Sequence, residues 1–394
     1  MAEAPVPGAT RWREIIALIA AGIAAAIQLG KVAPSLLAIG ESFGIGLEGA
    51  AGLISVFSLM AAVGGLMAGL LAARTGARRS LLVGLWTLGG AGLAAAAAPS
   101  VAVLYAVRLL EGAAFLAVVI SAPTLINRRA APADRGLAMS AWGVFMPAGV
   151  ALGVLGAPLV EAQGWRIAWA VAALIPFGAA VLVGALMPRW AAPPVPASSG
   201  LPGQVAKLWR ARSPFLVAGC FSCYAVLYFG LAGFLPARLV QGFGLSLSSA
   251  GLAGAAAAIA NIAGNLTAAV LIRLGWHPAA MLGWAGAAMT ILTAAALALP
   301  VSPTLSIAAA LLASALGGLI PASLFALAPR AVPEPALVGP GLGLLVQFNN
   351  VGQVLGPIAI AAAAGRSWSL TAIPLLLVGA ALLAMAPRLR RIDQ

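Results

Sequence analysis

Gly65-x₈-Arg74-Thr75-Gly76 returns later in the chain as Gly264-x₈-Arg273-Leu274-Gly275. The two copies are offset by 264 − 65 = 199 residues in a chain of 394 residues. A second echo, Val154-Leu155-Gly156 and Val354-Leu355-Gly356, has an offset of 354 − 154 = 200 residues. A repeat of half the chain length predicts two similar units joined head to tail.

The composition is typical of a membrane protein. Apolar residues make up 62% of the chain and charged residues 8%, against about half and about a quarter in soluble domains. The apolar runs are close to the ~20 residues that a helix needs to cross the hydrocarbon, and they lack the alternation of a membrane β-barrel. We therefore predict an all-α integral membrane protein with twelve transmembrane helices in two pseudo-symmetric six-helix bundles. The predicted spans are roughly 15–38, 50–73, 80–98, 101–126, 137–160, 167–187, 214–236, 247–272, 279–299, 303–328, 338–363 and 368–387.

The longest break in the apolar pattern separates the two halves. It is rich in Pro, Ser and Gly and contains basic residues, which is typical of a linker. The predicted divisions are an N-terminal cytoplasmic segment 1–14, a first bundle 15–187, a cytoplasmic linker 188–213, a second bundle 214–387 and a cytoplasmic tail 388–394.

The basic residues are distributed asymmetrically. If the N-terminus is cytoplasmic, most of them fall in cytoplasmic segments, and the opposite loops hold only Arg166, Arg238 and Arg366. This positive-inside pattern predicts that both termini are cytoplasmic. The high Ala and Arg content is typical of bacteria with GC-rich genomes, which predicts the bacterial inner membrane as the location. The positive-inside distribution also explains the net charge of +13, so no nucleic-acid partner is expected. Trp165 and Trp169 lie near predicted span ends, where tryptophan favours the membrane interface.

Polar residues inside the spans are confined to certain helices. The third, sixth, ninth and twelfth spans contain no charged residue, Asn or Gln. A charge within the membrane costs at least ~2.5–3.5 kcal/mol, so it should face protein or water. Every third helix is therefore predicted to face lipid, while the others surround one central cavity. Transporters with repeated bundles bind their substrate in such a place, near the bilayer midplane.

Two pairs of residues carry the intramembrane charge. Gln28 and Lys31, and likewise Arg108 and Glu111, are three residues apart and share a helix face. Lys31 either faces the cavity or extends along the helix to the interface. Arg108 and Glu111 either form an ion pair that braces their helix, or serve transport. In the second case Arg108 holds an anion and Glu111 accepts a proton, because desolvation disfavours the ionised form of a carboxyl group. The candidate substrate-binding residues are Gln28, Lys31, Tyr105, Arg108, Tyr224, Tyr228, Asn261, Asn265, Gln347 and Asn350.

The second half offers only neutral polar groups within its spans. Because both intramembrane cations lie in the first half, a substrate with one anionic end fits better than a dianion held from both sides. For the amide side chains, hydrogen bonding between helices is as good an explanation as contact with a substrate.

Several short motifs resemble those of one family. The stretch 69–79 is similar to the loop between helices 2 and 3 of the major facilitator superfamily, Gly-x-x-x-Asp-Arg-x-Gly-Arg-Arg, although Ala73 replaces the usual Asp. Arg108-Leu109-Leu110-Glu111-Gly112 resembles the Arg-x-x-x-Gly motif of helix 4, and the stretches 134–140 and 164–166 resemble the starts of helices 5 and 6. The resemblance implies the major facilitator fold and, from the cation in helix 1, the cyanate-permease-like group of bacterial carriers. It implies a gating loop motif of Gly69, Arg74, Gly76, Arg78 and Arg79.

These features predict a secondary active transporter that works by alternating access. We expect a small organic or inorganic monoanion as substrate, with coupling to protons through Glu111 or to an anion gradient. The alternative is a multidrug or metabolite efflux antiporter of the same fold. We expect the lipid bilayer and the small solute as partners, and a monomeric protein.

Other classes of function fit the sequence poorly. An enzyme is not predicted, because the chain shows no clustered His, Asp and Glu at one interface. One histidine and two cysteines, Cys220 and Cys223, fall short of a closed zinc or haem site, so neither a metal nor a cofactor is expected. The chain has no phosphate-binding loop motif, which indicates that a gradient rather than ATP drives transport.

Overall fold

The computed structural model describes residues 9–131, 134–187, 207–300, 302–334 and 337–393, almost all of them helical. The helices are α1 (Trp12–Gly30), α2 (Leu36–Phe43), α3 (Leu47–Thr75), α4 (Ala77–Ala96), α5 (Val101–Arg129), α6 (Arg135–Trp142), α7 (Phe145–Val154), α8 (Ala157–Leu186), α9 (Ser213–Phe243), α10 (Leu247–Arg273), α11 (Pro278–Ala298), α12 (Pro303–Gly317), α13 (Leu319–Ala331), α14 (Val338–Ala364) and α15 (Ala372–Asp393). Short 3₁₀ turns, Ala33–Ser35 and Trp368–Thr371, precede α2 and α15.

The helices have the length and hydropathy that membrane spans require. Within the described ranges, eleven segments are long and apolar enough to cross a membrane, and the shorter apolar helix α7 lies where the fifth span is predicted. The predicted all-α membrane class is therefore confirmed, with a count close to twelve. Three predicted spans are broken: the first between α1 and α2, the fifth between α6 and α7 and again between α7 and α8, and the tenth between α12 and α13.

The sequence repeat corresponds to repeated backbone geometry. Gly76 and Gly275, which end the two copies of the pattern, both have φ of 88°. Gly44 and Gly244, 200 residues apart (244 − 44), have φ of 63° and 69° and end α2 and α9. Glycine adopts positive φ without the steric cost that a Cβ imposes. The same turns therefore recur at equivalent places in the two halves.

Helix packing follows the same repeat. In the first half α4 packs against α5 and α8, and in the second half α11 packs against α12 and α15. The halves meet along two lines, α3 against α14 and α7 against α10. Because successive spans are antiparallel, the α2–α3, α4–α5 and α9–α10 connections lie at the end of the molecule opposite the start of α1 and the end of α15. We call this the distal end, and the end where α1 starts the proximal end.

Two of the three arginines predicted in the distal loops complete helix ends, although Arg238 itself lies within α9. Arg166 Nη1 donates to the carbonyl oxygens of Ala96 and Ala98, each at 2.9 Å, at the end of α4. Arg238 Nη2 donates to the carbonyl of Leu299 at 2.9 Å, at the end of α11. The last carbonyls of a helix lack intrahelical partners and carry partial negative charge. These arginines therefore have a structural role that is the same in both halves.

Candidate functional site

Lys31, Arg108 and Glu111 meet inside the first bundle. Glu111 Oε1 accepts a hydrogen bond from Lys31 Nζ at 2.9 Å, and Oε2 accepts one from Arg108 Nη1 at 2.6 Å. The exposed fraction is 3% for Lys31 and 0% for Arg108 and Glu111. Two cations thus share one carboxylate, and the cluster buries a formal excess of one positive charge. We call these three residues the ion triad.

Lys31 lies where the first span is interrupted. The helix α1 ends at Gly30, and Pro34 has no backbone N–H to continue a regular helix. Ser35 instead donates its N–H to the Val32 carbonyl at 2.9 Å and its hydroxyl to the Lys31 carbonyl at 2.8 Å. Interrupted helices are typical of transporter binding sites, because the freed backbone groups and nearby side chains point into the protein.

The remaining contacts of Lys31 come from Gln28 and Trp169. Nζ donates to Gln28 Oε1 at 2.6 Å and lies 4.5 Å from the centroid of the Trp169 ring. Gln28 Nε2 is held by the Ala172 carbonyl at 2.8 Å, and Trp169 Nε1 donates to Ser35 Oγ at 2.9 Å. Lys31 therefore faces protein on every described side. Its ammonium group is held by these contacts and does not extend along the helix toward the interface.

Trp165 and Trp169, predicted to lie near the interface, pack inside the first bundle. Their exposed fractions are 3% and 0%, and their rings pack edge to face with centroids 5.4 Å apart. Trp169 is the site residue that the sequence reasoning missed. Its spacing of four residues from Trp165 puts both rings on one helix face, and that shared face was the available signal for a packed surface.

Arg108 is fixed by backbone carbonyls of two other helices. Its Nε donates to Leu53 at 3.2 Å and its Nη1 to Gln28 at 2.9 Å, while the guanidinium carbon lies 4.4 Å from the Phe57 ring centroid. Its buried Nη2 has no hydrogen-bond partner within the described residues. Buried donors are rarely left unpaired. This nitrogen is therefore a candidate donor for a ligand that binds beside Glu111.

Tyr105 does not join the ion triad. Its hydroxyl donates to the Gly49 carbonyl at 2.5 Å, and the side chain is only partly buried. Tyr105 therefore ties α5 to the distal start of α3, although it lies one turn from Arg108.

A second polar group lies in the second bundle. Asn261 Nδ2 donates to the Ser314 carbonyl at 3.0 Å and to Tyr224 Oη at 3.3 Å. The Tyr224 and Tyr228 rings stack with centroids 5.7 Å apart. Tyr228 Oη is buried and has no hydrogen-bond partner in the described part of the chain. The structure therefore brings together three of the predicted residues, with one hydroxyl free.

Two of the other predicted amides of the second half bond to backbone carbonyls outside this group. Gln347 Nε2 donates to the Ala62 carbonyl of the first bundle at 2.9 Å, and Asn350 Nδ2 donates to the Val346 carbonyl of its own helix at 2.9 Å. Asn265 is half-buried. Gln347 thus joins the bundles, as do Ser55 Oγ, which donates to the Val354 carbonyl at 2.8 Å, and Ser58 Oγ, which donates to Gln353 Oε1 at 3.0 Å.

A small apolar cluster joins four spans on the distal side of these polar groups. Its members, which we call the apolar seal, are Ala33, Val150, Ala151, Val154 and Ala258, packed with Met146 and Ala232. Along the chain, Lys31 precedes Ala33 by two residues, Tyr228 precedes Ala232 by four, and Asn261 follows Ala258 by three. At a rise of about 1.5 Å per residue, all three lie within about one helical turn of the seal, on its proximal side. The charged group of one half and the neutral group of the other therefore lie on the same side of the seal, each close to it.

The gating loop motif is only partly within the described structure. Gly76 has the positive φ noted above. Arg78 Nε donates to the Met187 carbonyl at 2.9 Å and Nη2 donates to Gly184 at 3.1 Å, at the proximal end of α8, while Arg79 is exposed. Gly69 and Arg74 lie in the stretch 65–75, whose side chains are outside the described part of the chain.

Comparisons with known proteins agree with this architecture. The family model described as Major Facilitator Superfamily matches residues 16–357. The galactose-proton symporter of Escherichia coli is 29% identical over 179 residues, which are 43% of this chain and 37% of the symporter. The multidrug resistance protein Stp of Mycobacterium tuberculosis is 34% identical over 148 residues, 36% of this chain and 27% of Stp. The chain thus spans well under half of each relative.

Solved structures match over almost the whole chain. A bacterial homologue of the human lysosomal transporter Spinster, in an inward-facing and unoccupied conformation, superposes with a TM-score of 0.77 at 15% identity, covering 98% of this chain and 99% of that one. The nucleoside transporter NupG superposes with a TM-score of 0.74 at 14% identity, covering 97% and 100%. These likenesses concern the fold, and the family model covers most of the sequence. The chain belongs to the Major Facilitator Superfamily and is a transporter rather than an enzyme.

Proposed function

We propose that this transporter carries a small organic or inorganic monoanion together with a proton. The observation that carries the proposal is the ion triad, which holds two cations and one carboxylate in the interior of the first bundle. A buried cation without its own counter-charge is costly. The unpaired positive charge and the free Nη2 of Arg108 suit an incoming anion.

The proposed coupling is an exchange of partners at Lys31. An anion that binds Lys31 displaces the Glu111 carboxylate, and Glu111, now buried with fewer cations near it, binds a proton. Without substrate, Lys31, Arg108 and ionised Glu111 sum to a charge of +1. With one anion and one proton bound, the sum is again +1. The loaded and empty sites thus have equal charge, so neither pays an additional electrostatic cost when the bundles reorient.

The neutral group of the second bundle completes the proposed site. Tyr228 has a buried hydroxyl without a hydrogen-bond partner among the described residues, and like Lys31 it lies on the proximal side of the apolar seal, within about one helical turn of it. We propose that the substrate binds between these two groups, and that the bundles rock around it so that the seal opens in the other state. From the charge asymmetry, we assign the proximal end to the cytoplasm of a bacterial cell, and the working unit is a monomer. The likeness to cyanate-permease-like carriers remains part of this proposal.

Replacing Lys31 with methionine is expected to reduce monoanion uptake into proteoliposomes at least tenfold, because the anion loses its cationic partner. Loss of a hydrogen bond to a charged group is worth about 1.5–3 kcal/mol, which corresponds to a factor of ten or more. Lys207, the only other lysine of the chain, pairs with Glu334 at 2.9 Å on the surface. Lys207→Met is therefore the matched control and should transport normally. If the two variants take up every monoanion of a panel equally well, Lys31 does not bind the transported anion.

Replacing Glu111 with glutamine is expected to abolish the acceleration of uptake by an imposed pH gradient, because glutamine cannot bind the transported proton. Exchange of anion for anion across the membrane, measured without a gradient, should continue in the folded protein. The measurement is initial uptake at fixed internal pH and varied external pH. An undiminished response to the gradient would exclude Glu111 as the coupling residue.

A multidrug or metabolite exporter is the competing proposal. It is supported by the aromatic row on α9, in which Phe221 and Tyr224 stack with centroids 5.9 Å apart and Tyr224 stacks on Tyr228, and by the partial similarity to a multidrug resistance protein. The similarity to a galactose-proton symporter supports proton coupling but favours a neutral substrate. A thermal-shift panel of monoanions, sugars and cationic drugs distinguishes these readings. Stabilisation by monoanions that disappears in Lys31→Met supports the first proposal.

A further inference from the structure

Glu161 connects the two bundles at the distal end. It belongs to the first bundle, in the part of α8 that precedes the bend at Gly164, where φ is 81°. One of its carboxylate oxygens accepts a hydrogen bond from the backbone N–H of Ser248 at 3.0 Å and a second, short one from the Ser248 hydroxyl. Ser248 is the second residue of α10, a helix of the second bundle. A carboxylate of one bundle thus completes the first turn of a helix in the other.

The N-terminus of α10 is well suited to this contact. The first N–H groups of a helix have no intrahelical acceptors, and that end of the helix carries partial positive charge. Ser246 Oγ accepts from the N–H of Ser249 at 3.2 Å, which leaves the N–H of Ser248 for Glu161. Glu161 is exposed and Ser248 is half-buried, so water can replace either hydrogen bond. A contact of this kind is weak enough to open during each cycle.

The contact lies at the end of a row of close contacts between α10 and the helices α7 and α8. A Cβ on Gly254 would lie 3.0 Å from Val154 Cγ1, and Gly251 packs against Ala157 one turn further on. Glu161 and Ser248 follow one turn beyond that pair, at the distal end of the line. The line begins in the apolar seal, of which Val154 is a member. Opening the seal toward the distal side must therefore separate Glu161 from Ser248.

We propose that Glu161 is a latch that stabilises the distal-closed state of the transporter. Its charge attracts the N-terminus of α10 only while the bundles touch at this end, so it biases the equilibrium between the two states and thereby the accessibility of the substrate site. This inference rests on alternating access from the proposed function, and it does not depend on the substrate or on the coupling ion.

The test uses Glu161→Gln with Glu48→Gln as the matched control. Glu48 is also an exposed carboxylate at the distal end, but it lies in the first turn of its own helix, α3, and so does not cap a helix of the other bundle. The native cysteines are first removed by Cys220→Ala and Cys223→Ala. Spin labels are then attached at Glu41→Cys and Gln241→Cys, which are exposed at the distal ends of α2 and α9 and report the separation of the bundles. The distance distribution between the labels is measured by pulsed electron paramagnetic resonance in detergent.

In Glu161→Gln, the population with the longer distance is expected to rise about two- to fivefold, as for the loss of a surface charge at a helix end. Ser248→Ala keeps the backbone N–H and should give a smaller rise, and it provides a second measurement if Glu161→Gln is poorly folded. Glu48→Gln should match the parent. Distributions of Glu161→Gln and Ser248→Ala that coincide with that of Glu48→Gln would overturn the proposal. Because no substrate is present, this result is independent of whether Lys31 binds an anion.

Discussion

Replacing Glu111 with glutamine is expected to lower the free energy of unfolding by about 3–5 kcal/mol, the usual cost of removing one partner from a buried ion pair. The cost arises because Lys31 and Arg108, both buried, would then share no counter-charge. Glutamine keeps the size of the side chain, so the loss is electrostatic rather than steric. The measurement is denaturant unfolding of the purified protein in detergent, compared with the parent.

A double-mutant cycle with Lys31→Met tests the origin of that loss. The formal charge of the ion triad is +1 in the parent, +2 in Glu111→Gln and again +1 in the double variant. The double variant is therefore expected to lose less stability than the sum of the two single variants, by about 1 kcal/mol or more, which is within the range of coupling between residues in contact. If the two changes are additive, the ion pair at 2.9 Å does not contribute to stability.

The surface pair of Lys207 and Glu334 provides the control for Glu111→Gln. These side chains are 56% and 48% exposed, and exposed pairs contribute about 0–1 kcal/mol. Glu334→Gln should therefore leave the unfolding curve nearly unchanged. A loss as large as that of Glu111→Gln would mean that removal of any carboxylate from this strongly basic chain destabilises it.

The fold could be predicted from the sequence because its main determinants are local. Apolar runs of membrane-spanning length specify the helices, and glycines at matching places in the two halves specify the turns with positive φ. The pairing of Arg108 with Glu111 is equally local, since residues three apart on a helix are neighbours. These features need no knowledge of how the helices pack.

The composition of the site depended on contacts that no local pattern encodes. Lys31 meets Glu111 across 80 residues of sequence, and Trp169 approaches Lys31 from a span that was expected to face lipid. Gln347 and Asn350 were candidate ligands by residue type, but their amides donate to backbone carbonyls. A side-chain amide bonds to whichever acceptor the packing brings near, and the sequence alone does not reveal that acceptor.

The count of basic residues in the loops was limited in the same way, because it could not show what each arginine contacts. The sequence identified Arg166 and Arg238 as exceptions to the positive-inside pattern, but it gave no reason for them. In the structure each donates to carbonyls at a helix end, of α4 and of α11 respectively. An arginine that completes a helix C-terminus is retained for that local reason, so it carries little information about membrane orientation.

Gly153→Ala is expected to destabilise the protein and to weaken monoanion transport, because α7 packs on the break in the first span without room for a side chain. A Cβ at Gly153 would lie 2.6 Å from the carbonyl carbon of Gly30 and 2.6 Å from the amide nitrogen of Lys31. Both are backbone atoms, so relief requires α7 and the Lys31 segment to move apart. Overpacking of this kind costs about 1–3 kcal/mol, more than the ~0.5–1 kcal/mol that alanine gains over glycine within a helix. The displacement also draws Lys31 away from Glu111.

Gly178→Ala separates this steric effect from the intrinsic preference of helices for alanine. Gly178 is also within a helix, α8, and a Cβ there meets nothing within 4 Å. That variant should be neutral or more stable by about 0.4–1 kcal/mol, since alanine reduces the entropy of the unfolded chain, and its transport should be unchanged. The two variants are compared by denaturant unfolding and by the apparent affinity for a transported monoanion. If Gly153→Ala behaves like Gly178→Ala in both measurements, the close approach of α7 at Gly153 does not position Lys31.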